Sequence, residues 1–144
     1  MPALVRRFLK TAVGFLLVGV GLGVYMLVRR ELWWAWPGPW WISAHTHAIL
    51  VGFVILMIFG VALWMFPRPA KDEAPFDPRF AEAAYWLITL GTAARVVCEL
   101  ARAHTDVAAV RWTVVGGGGA QALGMALFFW AMWGRIRGRR EGSP

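Results

Sequence analysis

The chain has 144 residues, of which 59% are hydrophobic, 15% aromatic and only 16% charged. Soluble domains carry roughly 45–50% apolar and about 25% charged residues, so a soluble enzyme and a disordered tail are both excluded. A single cysteine rules out an internal disulfide, and the net charge of +7 reads as charge on one side of a membrane rather than as a nucleic-acid surface.

The apolar residues fall into four blocks, at about 8–28, 41–66, 80–103 and 111–133. Each is long enough to cross a hydrocarbon core, which takes about 20 helical residues. The expectation is an all-α integral membrane four-helix bundle, one domain over 1–144, with the lipid bilayer as its first partner. The first block follows Arg6, Arg7 and Lys10, as in a secretory signal. Its apolar run is long and ends at Arg29 and Arg30 without a small-x-small cleavage motif, so it reads as a retained span.

The next connection holds Trp33, Trp34, Trp36, Trp40 and Trp41, half of the ten tryptophans. Tryptophan prefers the bilayer interface, where its ring is apolar and its N–H stays wet, so this is an aromatic anchor. The connection at 67–79 carries Arg68, Lys71 and Arg79, and the tail carries Arg135, Arg137, Arg139 and Arg140. With the N-terminal bases these make ten of the fifteen basic residues, all on one side if the chain crosses four times. The positive-inside rule then places both termini in the cytoplasm, and a bacterial or archaeal cytoplasmic (inner) membrane is the expected location.

Polar groups inside a membrane helix are costly and mark function. The three histidines, His45, His47 and His104, all fall in one layer near the outer face: His45 and His47 a turn inside the second block, His104 just past the third. Side chains two residues apart on a helix point about 200° apart, so His45 and His47 share one metal only if the helix start is unwound. His45 shares a face with Ile49, Gly52, Leu56 and Leu63, and Gly52 with nearby Gly60 leaves room for a flat macrocycle or for close helix packing. In the third block Arg95, Glu99 and Arg102 share one face at the histidine depth, either as an Arg95–Glu99 ion pair or as arginines facing an anionic ligand group. In the fourth, Gly116, Ala120 and Gly124 form a small-residue stripe, and Gln121 is positioned to bond across to another helix. Gly19 and Gly23 give the first block a comparable packing or dimer seam. Ser43 lies near His45 with no carboxylate beside it in sequence, so no hydrolytic triad is read. Interior histidines with an arginine at matching depth suit a heme in a helical bundle. Copper on the same histidines, with Met125 or Cys98, is the alternative.

The segment SAHTHAILVGFVILMIFGVALWMFPRP (43–69) resembles the second helix of subunit I in the cbb-type heme–copper oxidases and nitric oxide reductases. RRFLKTAVGFLLVGVGLG, PRFAEAAYWLITLGTAARVVCELA and WGRIRGR are similar to short stand-alone relatives of that subunit, and LITLGTAARV also resembles the NnrS family of heme- and copper-containing membrane proteins. The resemblance implies heme b, with His45 at the position of an axial ligand, His47 where the large oxidases have asparagine, and His47 or His104 as candidates for the second ligand. It implies electron transfer or heme–gas chemistry beside a respiratory oxidase or nitric oxide reductase, or a non-catalytic accessory subunit of one. A homo-oligomer, dimer or trimer, is expected because four helices hardly enclose a heme.

Overall fold

The computed structural model describes residues 1–66, 77–133 and 135. Four helices are long and apolar enough to cross a membrane: Ala3–Leu32, Pro39–Met65, Pro78–Arg102 and Ala108–Trp133. All regular structure among the described residues is helical. Each helix starts two to five residues before its expected apolar block; the first also runs four residues past its block, through Arg29, Arg30 and Glu31, while the second and third end one residue short. The third begins with Pro78 in its first turn and Asp77 as its cap, the Asp77 carboxylate accepting the Arg79 N–H at 2.8 Å. Of the basic residues expected to set orientation, Arg68, Lys71, Arg137, Arg139 and Arg140 lie outside the described residues.

The second helix is not uniform. Pro39–His47 is α-helical, Ala48–Ile55 is π-helical and Leu56–Met65 is α-helical again. Its buried small residues explain this. Ala44, Ala48, Gly52, Leu56 and Gly60 recur every fourth position and all are buried. An α-helix drifts about 40° over each such step. The wider π turn takes up that drift and keeps the row on one buried face.

Side chains of the first helix fill the notches in this row. A Cβ on Gly52 would lie 2.4 Å from the Phe15 ring, and one on Gly60 would lie 2.9 Å from Phe8. The space expected beside Gly52 is therefore occupied by Phe15. The first-helix seam is used the same way within the chain: Gly19 receives Ile49 and Gly23 receives the His45 ring.

The third and fourth helices touch backbone to backbone. A Cβ on Gly91 would lie 2.8 Å from the Gly117 carbonyl oxygen, and one on Gly117 2.8 Å from that of Gly91. The buried face of the fourth helix is Gly117, Gln121, Gly124, Phe128 and Met132. Gly116 has open space around it, so the packing stripe runs one residue later at its start than the expected Gly116–Ala120–Gly124 register.

Two apolar cores result. The larger, in the half nearer the N-terminus, includes Phe8, Leu56, Phe59, Ile88 and Phe128, with Phe59 stacked on Phe128 at 3.7 Å. The smaller joins Ala44, Ala48 and Val96 at the histidine level. Arg135 closes the far end of the second helix by donating to the Leu63 and Phe66 carbonyls.

Filling the Gly91–Gly117 contact is expected to overpack it. Gly91→Val should cost about 1–3 kcal/mol and Gly116→Ala close to nothing, read as shifts in the denaturation midpoint of detergent-solubilised protein followed by circular dichroism.

Candidate functional site

The two histidines of the second helix face different neighbours. His45 turns to the first helix, where its Nδ1–H donates to the Gly19 carbonyl at 2.8 Å. The absence of a side chain at Gly23 makes this possible, since a Cβ there would sit 3.0 Å from His45 Cε1. His47 turns to the third helix. Its Nδ1–H donates to the Ser43 carbonyl at 2.8 Å, and Nδ1 lies 3.3 Å from Glu99 Oε2. A carbonyl can only accept, so each ring carries its proton on Nδ1 and leaves the Nε2 lone pair free when neutral. The α-helical run Pro39–His47 holds the pair about 200° apart, as their spacing requires.

Glu99 is 1% exposed. Its Oε1 accepts from Ser43 Oγ at 2.8 Å and from Arg95 Nε at 2.8 Å. Arg95 Nη1 donates to Gln121 Oε1 at 3.3 Å, and Gln121 Nε2 donates to Thr92 Oγ1 at 3.0 Å. Ser43, Thr92, Arg95, Glu99 and Gln121 therefore form one network joining the second, third and fourth helices. Each member must be paired, because hydrocarbon offers no water to replace a missing partner. Glu99 Oε2 is the exception: it is buried and accepts no hydrogen bond among the described residues. The His47 proton nearest to it is already committed to the Ser43 carbonyl.

The expected Arg95–Glu99 pair is present, and Gln121 bonds across to the third helix. Ser43 and Thr92 join the network beyond the residues whose spacing predicts it. Ser43 does meet a carboxylate, brought to it from 56 residues away in sequence. Ser43 Oγ also lies 3.3 Å from His47 Nδ1, but that nitrogen carries its proton toward the Ser43 carbonyl, so the hydroxyl donates to the carboxylate and the order is not that of a hydrolytic triad. Thr92 could have been found from its place three residues before Arg95, on the same helix stripe.

His104 lies apart from this network. It is exposed, and its ring stands edge-on to Trp41 at 6.3 Å, with Tyr25 on Trp41 at 4.7 Å. Arg102 likewise leaves the Arg95–Glu99 group: it pairs with Asp106 and stacks 4.6 Å over Trp40. Cys98 is a free, half-buried thiol, and Met125 packs against the larger apolar core. Among the described residues no three His, Cys, Asp or Glu side chains converge on one point.

Removing Arg95 alone leaves a buried, unpaired carboxylate. Arg95→Leu should therefore cost about 3–5 kcal/mol, and Arg95→Leu combined with Glu99→Leu far less, measured by chemical denaturation of both variants in the same detergent.

Outside the membrane, Asp106 bridges Arg111 and Arg102. The Arg111 hydrogen bond, with the charges of both arginines, holds its carboxyl below the ordinary 3.8. A lowered folded-state pKa stabilises the loop fully above the unfolded value, and that stabilisation fades as pH falls through the folded one. Acid should release Arg102 from this clasp and change Trp40 fluorescence, with the acid limb missing in Asp106→Asn.

No protein-family model matches the chain, no curated protein matches it and no solved structure matches it.

Proposed function

We propose that the chain is a multi-pass protein of a bacterial or archaeal cytoplasmic membrane that binds heme b with His45 as an axial ligand. It serves electron transfer or heme–gas chemistry beside a respiratory oxidase or nitric oxide reductase. The observation that carries this reading is the anchoring of His45. Its Nδ1–H is spent on the Gly19 carbonyl at 2.8 Å, which fixes the ring and leaves Nε2 as the free donor. Metal-binding imidazoles are held by such second bonds. The resemblance of 43–69 to the second helix of the oxidase subunit supports the same residue.

The donor chemistry fits an iron porphyrin, and the interior of a single chain does not. Phe15 covers Gly52, and Ile49 covers Gly19. In this reading the remaining ligand and walls come from another subunit, either a second copy of this chain or an oxidoreductase. When bound, heme supplies one-electron exchange at its iron. The chain's own part is to hold His45 in one tautomer and one orientation through the Gly19 carbonyl and the notch at Gly23.

A non-catalytic accessory subunit is the second reading, and the filled interior favours it. Copper held jointly by His45 and His47 has no comparable support, since the two rings turn to different helices.

Protein extracted from membranes of cells supplied with heme should show a Soret band and, on reduction, a b-type α-band. His45→Ala should lose both, and His47→Ala should keep them. Folded wild-type protein without heme overturns the reading in favour of the accessory role, and copper found by metal analysis overturns it in favour of copper.

A further inference from the structure

Arg95 has more donors than its network uses. Nε donates to Glu99 and Nη1 to Gln121, while Nη2 is not enclosed and has no partner among the described residues. The Arg95 side chain is 25% exposed, against 1% for Glu99. Its place on the third helix explains this opening. Four residues before it, Gly91 packs on Gly117 of the fourth helix, and four residues after it, Glu99 meets Ser43 of the second. Arg95 therefore stands between those two helices. Its Nη1 lies 3.0 Å from where a Cβ on Gly118 would be, so the guanidinium reaches across a bare stretch of the fourth helix.

The second and fourth helices leave a cleft at this level. They meet further from the histidines, where Phe59 stacks on Phe128 at 3.7 Å and stands edge-on to Phe129 at 5.6 Å. Gly118 lies on the same stripe as Phe129, eleven positions earlier, so it too faces the second helix. No atom of the second helix covers it. Among the described residues, only the Arg95 guanidinium comes within 4 Å of the Gly118 Cβ position. The cleft is also deep. The fourth helix has 26 residues, so it is about 39 Å long against a hydrocarbon core of about 30 Å. With the helix centred, Gly118 lies about 10 Å inside that core.

We propose that this cleft binds a neutral, lipid-soluble ligand with a ring carbonyl, a quinone by chemical class, whose oxygen accepts from Arg95 Nη2. A guanidinium nitrogen only donates, so its partner is an acceptor. An unmet N–H in hydrocarbon is costly, and a carbonyl oxygen removes that cost. Arg95 and Glu99 already sum to zero charge, so an added carboxylate or phosphate would stand unbalanced in the membrane. Phospholipid ester carbonyls lie at the edge of the core, about 10 Å from the level of Gly118, whereas a quinone head dissolves at that depth. Gly118 has no side chain, so a flat ring can approach the backbone there. His45 turns away to the first helix, so this site is independent of the heme reading.

The test titrates the full chain in dodecyl maltoside with radiolabelled decylubiquinone. One molecule should bind per chain and be displaced by unlabelled decylubiquinone, but not by decylbenzene or phosphatidylcholine. Arg95→Lys keeps the charge beside Glu99 and loses the outward donor edge. It should weaken binding at least about tenfold, the worth of one hydrogen bond to a charged group. Gly116→Ala, about 200° around the fourth helix from Gly118, should leave binding unchanged. If Arg95→Lys does not fold, Arg95→Leu with Glu99→Leu takes its place, with the same loss expected. Folded wild-type protein without saturable binding overturns the proposal, as does binding that the Arg95 variant leaves intact. Equal displacement by decylbenzene overturns it in favour of a merely apolar groove, and displacement by phosphatidylcholine in favour of a lipid ester.

Discussion

The buried Arg95–Glu99 pair is the constraint on which the rest of the bundle depends. A carboxylate at 1% exposure in an apolar bundle must find charge and hydrogen bonds within reach. It finds Arg95 one turn away and Ser43 on the second helix. Arg95 in turn needs Gln121, and Gln121 needs Thr92. These obligations fix the rotation of three helices about their own axes. The glycines then let the backbones close around them. Gly91 and Gly117 bring the third and fourth helices into direct contact beside the Arg95–Gln121 bond, a Cβ on Gly91 falling 3.3 Å from Gln121 N and one on Gly117 3.3 Å from Arg95 Cβ. The π-helical stretch begins immediately after His47, so the winding changes at the level where the second helix leaves the network.

The same rotation separates the two histidines. With Ser43 and His47 turned to Glu99, His45 is carried to the opposite side and lands in the glycine notch of the first helix. One imidazole joins a charged network and the other rests on a single carbonyl. Their chemical surroundings differ although they are two residues apart. The aromatic end of the bundle is organised separately: Trp40 and Trp41 are held by Arg102 and Tyr25, and Asp106 clasps two arginines beyond the third helix.

Much of this was legible from the residues. The four spans follow from apolar run length, and the opposed directions of His45 and His47 follow from the 100° step of a helix. That Arg95 meets Glu99 follows from their spacing, and that Gln121 crosses to a neighbour follows from the cost of a buried amide. The rest depends on rotations that accumulate. The π turn shifts the phase of the second helix without a breaking residue to announce it. The fourth helix has four consecutive glycines, so a register starting at 116 or at 117 looks alike until the contact with Gly91 selects Gly117. Phe15 fills the notch at Gly52 because of the height at which the first helix packs, which no local pattern encodes. Ser43 and Glu99 meet only once two helices are oriented, so a distant carboxylate was invisible from its neighbours.

The proposed heme function requires His45 to be protonated on Nδ1, where it meets the Gly19 carbonyl, and bare on Nε2. Nitrogen-15 magnetic resonance of the histidine rings, in protein reconstituted into lipid, reads this directly. That tautomer is expected for His45 before heme is added, and the His45 Nε2 resonance should be lost, with that of His47 retained, once ferric heme is supplied. A proton on Nε2, or a His45 resonance indifferent to heme, would rule out His45 as the proposed ligand.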